Sequence, residues 1–381
     1  MVDIFAYLAA EGNTAMLYPV SSLVFLLFNC LCAFLLQLLL PWQVKRLLKK
    51  WRITLKNLKK LPILAHMDEL AVNLSGTISY GAPSVTDIYP NGISSARLLA
   101  LAAAIESSSH HPIGEAIVDA AKARALELPE VSASNPVPGK GAEALMNRQT
   151  LSIGSAAFFK EQDIDIPAEV YTKADQLAYK GNIIAFVAVG RFCRGFITLQ
   201  DRLKRSIPGD ISFLKDSGID VTILTGCNRS TAKGYLLKSQ AARLKSQLGN
   251  IDKAKEVLLR QAGGQTMGTA GRTRSFEGAM RSGDISFALE YADQSVKNLA
   301  DVLIHTNNLG TIATAKNIAL MAQGRHKTGL VLWGLTDLLL IAALIFLIYQ
   351  GAMPGYSILL PVVICIIGSL LVILNQIPLK Y

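Results

Sequence analysis

Three long apolar runs bracket everything else in this chain. Residues 12–44 carry no charge and contain "YPVSSLVFLLFNCLCAFLLQLLLPW", long enough to cross a bilayer as a helix. "GLVLWGLTDLLLIAALIFLIY" (329–349) and "YSILLPVVICIIGSLLVILNQIP" (356–378) follow near the other end, joined by six residues that include Gly351, Pro354 and Gly355. Transmembrane helices are therefore predicted at 17–42, 328–350 and 355–378. The first run has no basic n-region and no small-residue cleavage site, which argues against a removable signal peptide. With 51% hydrophobic residues, the chain is too apolar for an ordinary soluble protein and too polar for a purely membrane one.

Basic residues orient these segments. "KRLLKKWRITLKNLKK" (45–60) has eight Lys/Arg and no acid and directly follows the first run. "RHK" (325–327) precedes the second run, Lys380 follows the third, and the N-terminal tail holds Asp3 and Glu11 but no base. The positive-inside rule then places the N-terminus outside and the intervening domains and the C-terminus in the cytosol. The stretch 43–66 is predicted as a basic juxtamembrane helix on anionic lipid. That reading, rather than nucleic-acid binding, accounts for the net charge of +10. Cysteines at 30, 32, 193, 227 and 365 make no disulfide framework and suit a reduced cytosolic domain.

About 265 residues lie between the apolar runs, enough for two domains. "ELAVNL" reads as a short buried strand ending in a Gly turn. "SARLLALAAAIESSSHHPIGEAIVDAAKARAL" has helical spacing broken by a Ser-rich loop, and "GAEALMNRQTLSIGS" and "NIIAFVAVGRFCRGFITL" read as antiparallel hairpins. From Leu199 the pattern becomes α/β: a helix in "RSIPGDISFLKDSG", a strand in "IDVTILTG", a helix over "STAKGYLLKSQAARLKSQL" and a strand in "ADVLIHT". The lone strand near residue 70 is expected to complete this later sheet, with 82–195 inserted.

The order of these pieces resembles the heavy-metal (copper/zinc-type) P-type ATPases over essentially the whole chain. "NLSGTIS" stands where that family has Asp-Lys-Thr-Gly-Thr-Leu-Thr. "SHHPIGEAI" matches its Ser-Glu-His-Pro-Leu signature at His111 and Pro112, with His110 in place of the acid. "VPGKGAEA" keeps a Gly-x-Gly at Gly139 and Gly141, a turn where backbone approaches phosphate. "DRLK" keeps Asp201 and Lys204. "TGCN" keeps Thr225, Gly226 and Asn228, with Cys227 replacing an acid, and "AGRTRSF" occupies the place of Val-Gly-Asp-Gly-Ile-Asn-Asp.

The resemblance implies a haloacid-dehalogenase-like Rossmannoid P-domain with an inserted α+β nucleotide-binding-like domain and three transmembrane helices. Its first strand and degenerate phosphorylation loop would span 67–81, the inserted N-domain-like part 82–195, and the rest of the P-domain 196–324. Catalysis in the family needs an aspartate nucleophile, acid-held Mg²⁺ and a loop lysine. Asn73, Leu74, Arg272 and Phe276 stand at such positions here. On those grounds the chain is expected not to be an enzyme. It is expected to be a catalytically inactive pseudo-ATPase that scaffolds or regulates a membrane complex, with weak ATP or nucleotide binding and without Mg²⁺. The alternatives are a truncated heavy-metal cation-transporting ATPase and a nucleotide-sensing membrane module.

Several residues keep two readings. His111 is an adenine contact or a core histidine, and Lys253 is a neighbour of the phosphorylation loop or a surface helix charge. Asp201 is expected to pair with Arg272 or Lys204. In the first span "CLCA" resembles the Cys-Pro-Cys-Ala metal motif, but Leu31 replaces the proline. Cys30 and Cys32 are therefore read as small hydrophobes before heavy-metal ligands. Asp337, Ser369 and Asn375 are the polar residues of the other spans. Asp337 is either a proton or cation ligand or a bundle-interior contact. Other membrane proteins or a second copy are the expected partners, in a bacterial-type plasma membrane. Nothing before residue 17 matches the family's first spans, actuator domain or metal-binding domain.

Overall fold

The computed structural model describes residues 27, 34, 40–109, 111–132, 134–137, 140–349 and 359–375. The chain divides into two units, one of residues 67–313 and one of residues 1–66 with 314–381.

In the 67–313 unit, six strands line up in the spatial order Val302–Ile304, Ile285–Ala288, Met267–Gly271, Glu69–Asn73, Asp220–Leu224 and Arg243–Lys245. Every pairing among them is parallel. The strand Glu69–Asn73 is central and buried at all five positions, which explains why its middle, Leu70 to Val72, reads as a continuous apolar run rather than an alternating one. Helices Ile207–Asp216, Arg229–Ser239 and Asn250–Ala262 connect the strands. The stretch 230–248, expected as one helix, is a helix only to Ser239. Gln240 turns left-handed at φ 62°, and Arg243–Lys245 pairs beside Asp220–Leu224.

The same unit holds an antiparallel sheet in the order Ser84–Pro90, Phe192–Gln200, Ile183–Val189, Gln149–Gly154, Gly141–Met146 and Asn135–Val137. Both faces are covered. Ala185, Val187, Ile197 and Leu199 join Leu98, Leu99 and Ile117 of two helices, whereas Phe186 and Phe196 alternate onto a second core with Phe158 and Phe159. The hairpin Gly141–Gly154 turns at Asn147 and Arg148, both with positive φ, as a two-residue primed turn requires.

The other unit is helical over 40–50, but the basic stretch 43–66 is not one helix. Arg52 is left-handed at φ 58°, Ile53–Leu55 is extended, and Asn57 caps a short turn by accepting from the Lys59 N–H at 2.9 Å. The helices Thr311–Tyr349 and Leu359–Asn375 overlap two of the expected spans. A Cβ on Gly368 would lie 2.6 Å from Thr336 Cγ2, so a glycine is needed for this approach. Among the described residues, no helix is long and apolar enough to cross a membrane. The three expected membrane helices are thus left without support here. Most of 17–42, including Cys30 and Cys32, lies outside the described residues, as do His110, Gly139 and the side chain of Asn375.

Candidate functional site

The carboxyl ends of the parallel strands carry the family-like motifs, which is where open α/β sheets place their sites. Asn73 ends the central strand and opens the loop 74–78, in which Gly76 adopts φ 76°, a conformation that favours glycine. Its side chain is 3% exposed and fully engaged. Nδ2 donates to Thr273 Oγ1 at 3.2 Å and to the Ser75 carbonyl at 3.1 Å, while Oδ1 accepts from Lys253 Nζ at 3.3 Å. Lys253 is therefore a buried neighbour of the loop, not a surface charge, and burial pushes its amine below the usual lysine range. It also lies 5.9 Å from the centroid of the Phe276 ring.

Lys204 and Arg272 grip the loop from its backbone. Lys204 Nζ donates to the Thr77 carbonyl at 2.7 Å, the Gly76 carbonyl at 3.4 Å and Asn307 Oδ1 at 2.7 Å. Burial above all, with the Arg272 charge next, lowers its pKa to about 8. Arg272 Nη1 donates to the same Gly76 carbonyl at 2.9 Å. Asp201, expected to pair with one of these cations, instead accepts from the Ser79 hydroxyl and from the Gly81 N–H at 3.0 Å. Its carboxyl is raised from the usual range because burial outweighs those hydrogen bonds.

The remaining positions are structural in geometry. Leu74 and Phe276 are buried, and Phe276 packs with Val257, Ala279 and Met280. Thr225 Oγ1 accepts from the Cys227 N–H at 3.2 Å. Asn228 Oδ1 caps the helix Arg229–Ser239 through the Thr231 N–H at 2.7 Å. A Cβ on Gly226 would meet only the Leu248 carbonyl oxygen, at 3.5 Å. Burial pushes the Cys227 thiol up, so it stays neutral.

Asn73, Cys227, Arg272 and Phe276 supply no carboxylate, and the Arg272 guanidinium brings a fixed positive charge to the loop. Among the described residues, no three His, Cys, Asp or Glu side chains are grouped to hold a metal ion.

In the inserted domain, His111 is exposed and caps the helix Pro112–Lys122, its Nδ1 accepting from the Ile113 N–H at 3.3 Å. That excludes the core-histidine alternative and leaves Nε2 free of this capping bond. Pro112 is the first residue of the helix, where its missing N–H costs nothing. Gly141 begins a strand rather than a positive-φ turn, and a Cβ there would lie 2.1 Å from the Ile153 carbonyl oxygen. In the other unit, Asp337 is half-buried and engaged, and Ser369 is half-buried on Leu359–Asn375. Sequence reasoning passed over Ser79, Thr273 and Asn307. The first two sit inside quoted motifs, whereas nothing local marks Asn307.

A central parallel strand ending in this loop, with an inserted domain between it and the next strand of the sheet, defines a haloacid dehalogenase-like α/β protein. The haloacid dehalogenase-like hydrolase family matches residues 74–261. A copper-exporting P-type ATPase of Legionella pneumophila is 30% identical over 70% of this chain and 36% of its own length. A silver-exporting P-type ATPase of Salmonella typhimurium is 27% identical over 86% of this chain and 40% of its own. A zinc-transporting PIB-type ATPase structure superposes over 91% of this chain and 56% of its own, with a TM-score of 0.62 at 22% identity. The chain is a relative of the heavy-metal P-type ATPases, with copper- and silver-exporting members among its curated relatives, and carries a haloacid dehalogenase-like domain. It spans about two-fifths of the length of these curated relatives.

The expectation that the chain is not an enzyme is corrected by these findings. The matching family is one of hydrolases, and the relatives are named as exporting ATPases. The substitutions at 73, 74 and 272 constrain the route of any phosphoryl chemistry, not membership of the family.

Proposed function

We propose that the chain is a nucleotide- and phosphate-handling subunit of a heavy-metal cation-transport complex at a membrane. The observation that carries this reading is the convergence of Asn73, Thr273, Lys253, Lys204 and Arg272 on the loop that follows the central strand. The inserted domain supports nucleotide binding, with exposed His111 as its first candidate contact. Attachment to the membrane rests on the apolar runs. It also rests on large hydrophobic residues left exposed on Thr311–Tyr349, among them Val331, Leu335, Leu338 and Leu339.

A second reading, a truncated heavy-metal cation-transporting ATPase, is favoured by the names of the relatives. An amide at residue 73 is too poor a nucleophile to form an acyl phosphate, so turnover would pass the phosphoryl group directly to water. Asn73→Asp alone would not install the family's route, because Leu74 and Arg272 still hold the lysine and metal positions.

Calorimetry with ATP on the full chain, with and without Cu⁺, Ag⁺ or Zn²⁺, tests the first reading. Weak binding that is lost in His111→Ala is the expected result. No heat at millimolar ATP would overturn it. Metal-stimulated release of phosphate, without hydroxylamine-sensitive labelling of the protein, would favour the second reading.

A further inference from the structure

We propose that the helix Arg229–Ser239 is a clasp that locks the inserted domain to the parallel-sheet domain, so that the two move as one body until it is released. The inference goes beyond the proposed function and does not depend on any nucleotide or phosphate being bound.

The chain passes between the two sheets twice, through 74–83 and through 201–206. Domains joined by short connections move relative to one another unless something else holds them. Here the connections are tied to each other. The Tyr80 N–H donates to the Arg202 carbonyl at 3.0 Å, and the Asp201 carboxylate accepts from Ser79 and Gly81. The helix Arg229–Ser239 reaches this crossing through buried Tyr235, whose hydroxyl donates to the Asp201 carbonyl at 2.8 Å.

The same helix grips the inserted domain at Ala168–Tyr179 and the turn that follows it. Ser230 Oγ donates to Asp175 Oδ1 at 2.7 Å, Thr231 Oγ1 to the Asn182 carbonyl at 2.7 Å, and Lys238 Nζ to the Lys180 carbonyl at 2.8 Å. Lys233 Nζ lies 5.4 Å from the centroid of the Tyr179 ring. Ala174 and Ala178 are buried in the core with Phe158 and Phe186, which fixes the gripped helix within the inserted domain. At its own root, Arg229–Ser239 follows the strand Asp220–Leu224, whose Leu224 pairs with Asn73.

A glycine shows that the fit is specific. Gly234 lies inside the helix, where glycine is disfavoured against alanine. A Cβ there would sit 2.5 Å from the Gly181 nitrogen and 2.8 Å from the Tyr179 carbonyl oxygen. Gly181 in turn holds φ 88°, a conformation that favours glycine. Two backbones therefore touch across the domain boundary.

Single-molecule energy transfer on the full chain in detergent tests the clasp. The dyes are carried on non-natural residues replacing exposed Arg148 in the inserted domain and exposed Ile251 in the parallel-sheet domain. The native chain should give one narrow efficiency distribution. Gly234→Ala, which helix preference alone would make more stable, should add a second population of at least about 10% of molecules. Asp175→Ala combined with Lys238→Met removes two of the bonds without adding bulk. It should split the distribution likewise, and it serves where Gly234→Ala does not fold. Gly209→Ala, whose Cβ would meet nothing within 4 Å, should keep the single population. A native distribution already broad or split would overturn the inference. So would a native-like single population in both clasp variants, or a split in Gly209→Ala as well.

Discussion

Lys204 is the residue whose environment makes the sharpest claim. The residue is 4% exposed and its pKa falls from 10.5 to about 8. The unfolded chain therefore binds more protons than the folded one between about pH 8 and pH 10.5, and the stability contributed at this site rises with pH across that window. Below about pH 8 both states are protonated and the penalty of holding the ammonium indoors is fully present, on the order of 3 kcal/mol. Urea midpoints of the native chain and Lys204→Met at pH 7, 8, 9 and 10 check this. The difference between them should shift in favour of the native lysine as pH rises, and a difference independent of pH would refute the assignment. At this scale the motifs located the loop and its cations, but not who holds whom. Asp201 and Lys204 share a four-residue motif yet spend themselves on different loop groups. Sequence spacing gives neighbourhood, whereas partner choice follows from side-chain direction and competing backbone acceptors.

Among the elements, the central strand carries a burden no periodicity shows. Glu69 is 1% exposed at the start of that strand, and its carboxylate accepts from the Thr222 hydroxyl and from Arg243 Nη1 at 3.2 Å. Arg260 lies 3.9 Å away. Removing a buried charge from such a set leaves its partners uncompensated, so Glu69→Ala should cost about 3–5 kcal/mol by urea denaturation. The helix Arg229–Ser239 gives a prediction of opposite sign. Gln240 stops it in the left-handed region at φ 62°, where a Cβ is a liability. Gln240→Gly should raise stability by up to about 1 kcal/mol and the melting temperature with it. The sequence concealed this stop because glutamine is a good helix former and no Gly, Asn or Pro marks the boundary. Strong signals lay instead in the hairpins and in the shift to alternating helix and strand after Leu199. These follow from two faces of burial and are hard to disguise.

At the level of the molecule, the antiparallel sheet and the parallel sheet were both readable in outline, because each has its own period and turn chemistry. The basic stretch after residue 44 was not, since its breaks come from Arg52 and Asn57 rather than from its charge. The large hydrophobic residues left exposed on Thr311–Tyr349 lead to an expectation about assembly. In native-like lipid the full chain should run as an oligomer or hetero-complex. Replacing Leu335, Leu338 and Leu339 with serine should shift the mass measured from nanodiscs toward the monomer. A native chain that is already a monodisperse monomer would count against it.

The position of the strand Glu69–Asn73 also governs how the chain is made. It leaves the ribosome well before its two neighbours, Asp220–Leu224 and Met267–Gly271, which emerge only after the whole inserted domain. Glu69 waits for Arg243 across a separation of 174 residues. Until then a five-residue strand made for burial has no sheet to join, while the inserted domain, built from antiparallel neighbours, can close first. Synthesis therefore leaves the parallel sheet half-made for the time it takes to translate about 200 residues, on the order of 10–40 seconds. The nascent chain, rather than the finished fold, is where this architecture most needs a chaperone.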